Sequence, residues 1–69
     1  MAFAEHMPEE VEKLKAYREA LNIPRSALIP HIGCSLSSFY RWETGQSSPS
    51  PAFRSKIKAV NRTLEEVEK

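Results

Sequence analysis

The sequence predicts an all-α domain, a compact bundle of four to five short helices. Three observations carry the prediction. Apolar residues recur at three- and four-residue spacing along most of the chain. Proline, asparagine and glycine stand where such helices would begin and end. With 69 residues and a lone cysteine, Cys34, the chain has no internal disulfide to staple it. Packed helices must therefore supply the stability of a small core.

The first helix is predicted from about Pro8 to Leu21, leaving residues 1–7 as a flexible segment and 8–69 as the domain. Proline suits a first turn, and Glu9, Glu10 and Glu12 complement the positive end of the helix dipole. Val11, Leu14, Tyr17, Ala20 and Leu21 form one apolar face, and Asn22 offers a left-handed stop. The second helix is expected from Pro24 to about His31, with Leu28 and Ile32 inward. Pro30 removes a backbone donor and crowds the carbonyl four residues back, which predicts a kink or an early end. Gly33 breaks the helix and Ser35 caps the next.

The third helix runs over about Leu36–Thr44, with Phe39 and Trp42 sharing the inward face and Gly45 as the stop. After a serine–proline loop, a fourth helix is expected from Ser50 and Pro51 to about Val60, with Phe53, Ile57 and Val60 as its stripe. Thr63 and Glu66 have capping-box spacing, predicting a short fifth helix that buries Leu64 and Val67 as last core contacts. A dimer seam is the other use of those two residues. One continuous helix from Pro51 to Lys69 is the alternative, because the apolar spacing continues unbroken.

The net charge is only +1, but its distribution is uneven. Residues 13–62 carry nine basic side chains and two acidic ones, while the remaining glutamates gather at the two ends. A basic middle between acidic ends suits a polyanion, although solvated helix faces give the same pattern. No apolar run reaches the roughly 18 residues of a membrane span, and the N-terminus lacks the features of a signal peptide. A cytoplasmic location is expected.

Two short helices joined by a glycine-containing turn meet the requirements of major-groove reading. The groove is about 12 Å wide and admits one helix. That helix must lock onto its own domain by one face and present hydrogen-bonding groups on the other. Phe39 and Trp42 are the expected lock, and Ser37, Ser38, Tyr40 and Arg41 the outward group.

The stretch from Ile23 to Ser50, through Leu28, Gly33, Ser35, Phe39, Trp42-Glu43, Gly45 and Pro49, resembles the phage-repressor and Cro family of helix-turn-helix regulators, the XRE type. Arg18-Glu19 fit as well, and the resemblance covers most of residues 11–67. It implies a lambda-repressor-like fold of five packed helices, sequence-specific repression and frequent homodimerisation on a palindromic operator. By the same resemblance Leu36, Ser37 and Arg41 stand at base-reading positions and Arg25 at a phosphate position. Arg18 and Glu43 match a pair that bridges the first and third helices. Ser35, Ser38, Tyr40, Gln46, Ser47 and Arg54 are expected to touch phosphate or flank the site. A dimer would span half-sites roughly 34 Å apart. So small a repressor suggests autoregulation in a phage, plasmid or other mobile element.

Chemically, Arg41 is the strongest reader, because its planar fork can bond guanine O6 and N7 together. Leu36 can meet a thymine methyl. Arg25 and backbone N–H groups at helix starts can hold phosphates. The other reading is a protein-interaction module on the same fold, an antitoxin or adaptor, which Leu36 and the polar loop at Gln46–Ser48 favour. Catalysis finds no support, since there are no paired carboxylates, metal set or phosphate-cradling loop. His31 and Cys34 stand three apart but lack further ligands, and read as a surface histidine and a small buried thiol. No cofactor, metal or small-molecule ligand is expected.

Overall fold

The computed structural model describes residues 7–68. They form four α-helices and no strand: α1 (Glu9–Ala20), α2 (Arg25–Ile32), α3 (Leu36–Glu43) and α4 (Pro51–Glu68). Of the expected flexible segment 1–7, residues 1–6 lie outside the described part, as does Lys69. Met7 packs partly buried against the core.

Helix α1 begins one residue after Pro8, which has extended backbone and serves as the N-cap rather than the first turn. Val11 and Leu14 are fully buried, but Ala20, expected on the same face, is exposed. The helix ends as Asn22 predicts, with φ at 57°. Asn22 N–H donates to the Glu19 carbonyl at 3.2 Å and Ile23 N–H to that of Arg18 at 2.9 Å. These two bonds are a Schellman closure, which satisfies carbonyls that the helix itself leaves open.

Helix α2 neither breaks nor stops at Pro30 but runs on to Ile32. Pro30 and Ser26 are both exposed, so water can reach the Ser26 carbonyl that the proline leaves without its helical donor. Gly33 closes the helix at φ 82°, its N–H donating to the Ile29 carbonyl at 2.7 Å. In α3 the Ser35 hydroxyl accepts from Ser38 N–H at 3.1 Å, the expected N-cap. A second Schellman closure follows: Gly45 N–H donates to Trp42 at 3.2 Å and Gln46 N–H to Arg41 at 2.9 Å. Gly45 takes φ 80° there.

The separate fifth helix does not form. Helix α4 continues through Thr63, whose hydroxyl donates to the Ala59 carbonyl at 3.3 Å instead of capping a new start. Leu64 joins the core, whereas Val67 stays 65% exposed. No helix among the described residues is long and apolar enough to cross a membrane.

The core is one cluster to which every helix contributes: Val11 and Leu14, Leu28 and Ile32, Phe39 and Trp42, Ile57 and Leu64. The Phe39 and Trp42 rings meet edge to face at 6.4 Å, and Phe53 of α4 lies 5.3 Å from Trp42. Helix α4 is also pinned to α1 by polar contacts. Asn61, buried, donates from Nδ2 to the Glu10 carbonyl at 2.9 Å, and the Glu10 carboxylate accepts from Arg54 Nε. That Arg54 bond holds the Glu10 carboxyl below the usual carboxylate range, against the opposing effect of burial.

Candidate functional site

The candidate site is the face that α3 turns away from the core. An eight-residue helix repeats every 3.6 residues, so Phe39, Trp42 and Glu43 can all point inward while Leu36, Ser37, Tyr40 and Arg41 point outward. All four of these outward residues are exposed, Leu36 at 52% and Tyr40 at 47%. A shallow groove between α2 and α3 joins Leu36, Ser37 and Tyr40 to Arg25 and Ser26.

Glu43 fixes this helix in place. Its side chain is fully buried, and a carboxylate without partners there would be costly. Two arginines answer it. Arg18 of α1 donates from Nε to Oε2 at 2.8 Å and from Nη2 to Oε1 at 3.1 Å, a bidentate fork. Arg25 of α2 donates from Nε to Oε1 at 2.6 Å. Arg18 also reaches the Ile23 carbonyl at 3.3 Å, tying in the turn after α1. One carboxylate thus joins three helices.

The sequence-predicted residues separate into groups. Leu36, Ser37, Tyr40 and Arg41 share the α3 face. Arg25 sits beside it, its guanidinium carbon 5.1 Å from the Tyr40 ring centroid, a cation–π contact. The expectation for Arg25 was a phosphate contact alone; its pairing with Glu43 was not anticipated. Ser35 and Ser38 belong to the N-cap, where Ser35 Oγ donates to Ser38 Oγ at 3.0 Å. Gln46 is exposed, and its Nε2 donates to Thr44 Oγ1 at 2.9 Å, while Ser47 is half-buried behind the closure of α3.

No described contact joins Arg54 to this face; its guanidinium pairs with Glu10. Sequence reasoning missed that pair because the partners stand 44 residues apart. Cys34, expected as a small buried thiol, is only half-buried, and its burial pushes the thiol pKa up. His31 is exposed.

Set against family models, curated proteins and solved structures, the chain matches none of them.

Proposed function

We propose that this chain is a sequence-specific double-stranded DNA-binding regulator of the phage-repressor and Cro helix-turn-helix type. It acts as a homodimeric repressor, with α3 in the major groove. The observation that carries the reading is the division of α3 into two faces. Phe39, Trp42 and the buried Glu43 lock one face, and Ser37, Tyr40, Arg41 and Leu36 are displayed on the other. With its side chains an α-helix is about 10–12 Å across, which fits the roughly 12 Å width of the major groove.

In this reading Arg41 bonds the O6 and N7 acceptors of a guanine, Ser37 supplies an adaptable hydroxyl, and Leu36 covers a thymine methyl. Arg25 and Tyr40 lie at the groove's rim, where a cation and a phenol suit phosphate oxygens. Glu43 holds Arg25 by Nε and so fixes the direction of its fork. The protein does no covalent chemistry. Occupying the operator is its whole action, and two copies set the half-site spacing.

The second reading, a protein-interaction module, is favoured by Leu36 and Tyr40 standing exposed on the same face. Selection from a random duplex DNA library at near-physiological salt, followed by sequencing, separates the two. The DNA reading expects an enriched, roughly palindromic motif and affinity that falls steeply with salt, because phosphate contacts release counterions. Absence of enrichment, with no binding at low salt, would transfer the α3 face to a protein partner.

A further inference from the structure

Leu36 is the first residue of α3, and a helix laid in the major groove contacts base edges with its N-terminal residues. Base edges present hydrogen-bonding groups, which polar side chains answer. Leu36 answers none of them, yet it stands 52% exposed on the outward face. Its surroundings are apolar too. Tyr40 lies four residues on, along the same stripe of the helix. Pro24, which has no N–H to donate, lines the same shallow groove between α2 and α3, and the groove is mostly apolar. The Tyr40 side of that groove is held in place. Arg25 covers the ring at 5.1 Å, and Glu43 holds Arg25 by Nε at 2.6 Å.

The major groove offers such a feature one kind of partner, a methyl group. Among the four unmodified bases only thymine carries one, on C5. Cytosine methylated on C5 carries it at the same ring position. In the major groove the two bases then differ at the 4 position, where thymine has a carbonyl acceptor and cytosine an amino donor. The polar residue beside Leu36 is Ser37, exposed, with a hydroxyl that makes no hydrogen bond among the described residues. A hydroxyl is both donor and acceptor and rotates to suit its partner. Ser37 therefore serves the carbonyl and the amine alike, and the methyl is left as the feature that decides.

We infer that the Leu36 end of α3 reads a pyrimidine by its C5 methyl, accepting thymine and 5-methylcytosine and disfavouring unmethylated cytosine. The inference rests on the DNA-binding reading and deepens it. Where the position holds cytosine, occupancy depends on a prior methyl transfer to cytosine C5, and methylation strengthens binding because the added group enters an apolar groove. Burying one methyl corresponds to about fourfold in affinity at 25 °C. Arg41 stands five residues from Leu36, about 140° round the helix, so guanine and methyl are read from different sides of it.

The test takes the duplex that the library selection returns and titrates it with the full chain at one salt concentration. Each thymine in turn is replaced by deoxyuridine, and each cytosine by 5-methylcytosine. Every such exchange alters one methyl and no hydrogen-bonding group. At one pyrimidine position in each half-site, deoxyuridine should bind about fourfold more weakly than thymine. With that position rebuilt as cytosine, 5-methylcytosine should bind about fourfold more tightly than cytosine. Leu36→Ala should erase both differences, whereas Arg41→Ala should keep them while weakening binding throughout. Both side chains are exposed, thermal melts report whether the variants fold, and the base exchanges with the parent chain need no variant. The inference is overturned if no position responds to its methyl, if 5-methylcytosine is no better than cytosine at the thymine-sensitive position, or if the response survives Leu36→Ala. Each of these outcomes spares the DNA reading, since the selected duplex still binds. A selection that returns no site removes the reading and the inference together.

Discussion

Arg25 and Tyr40 form a stacked pair, with the guanidinium carbon 5.1 Å from the ring centroid, and Glu43 holds the same guanidinium by Nε at 2.6 Å. The most exposed ring of α3 and its most buried charge are thereby connected through one side chain of α2. Burial of the carboxylate and display of the outer face are parts of one arrangement.

Glu43→Ala should be the most damaging single change at the candidate site. It leaves Arg18, nearly buried, without its carboxylate, and breaking a buried pair in this way costs about 3–5 kcal/mol. Urea unfolding measures the loss. Arg25→Ala should cost much less, because Arg25 is partly in water and Arg18 remains on Glu43. Equal losses for the two variants would show that Arg18 does not carry the carboxylate.

Arg41→Ala should leave stability within about 0.5 kcal/mol, since the side chain is exposed and only its carbonyl is used in the helix closure. Under the proposed function it weakens operator binding by about 1–3 kcal/mol and relaxes preference at one base pair. Binding titrations against the selected site and its single-base variants read both effects. An unchanged base preference rules out Arg41 as a reader.

The Glu10–Arg54 contact predicts an acid-sensitive share of stability. The folded-state carboxyl is held below the usual range, so at neutral pH both the folded and unfolded forms are ionised and the contact favours folding. As pH falls through about 4.3, the unfolded chain takes up a proton first, and the advantage disappears once the folded group is protonated too. The parent should therefore be more stable than Glu10→Gln near pH 7, and the two should converge on acidification below the usual carboxylate range. Denaturant melts across pH 2–7 test this; a gap that persists at the acid end would assign the difference to shape rather than charge.

Gly33→Ala isolates a backbone effect. A Cβ at Gly33 would meet nothing within 4 Å, so only the left-handed conformation at φ 82° opposes it. The expected cost is about 1–2 kcal/mol. Gly33→Asn should lose less, as Asn22 already occupies such a conformation in this chain. Thermal melts of the two variants provide the comparison.

The parts of the fold legible in the sequence are those governed by near neighbours. Asn22, Gly33, Ser35 and Gly45 end or begin helices through bonds no more than five residues away, and each takes the conformation its chemistry favours. The inward positions of Leu14, Leu28, Ile32, Phe39, Trp42 and Ile57 follow from helical period alone. What the sequence hid depends on distant partners or on competition between two local choices. Thr63 has capping spacing, but the Ala59 carbonyl offers its hydroxyl a bond without interrupting α4. Pro30 ought to disturb α2, yet its position on the wet side lets the helix continue. At the candidate site, the outward set on α3 could be read from periodicity, whereas the hold of Glu43 on Arg25 required the packing of α2 against α3.

Because Phe39, Trp42 and Glu43 anchor α3 while Leu36, Ser37, Tyr40 and Arg41 project from it, no residue is asked to do both jobs. Substitutions on the projecting side should combine nearly additively with those in the anchor, except through Tyr40, which shares Arg25 with Glu43. Duplicated copies of such a chain can diverge in what they bind while inheriting the same folded scaffold. A library randomised at Leu36, Ser37 and Arg41 should consequently yield mostly folded proteins, whatever new partner each one selects.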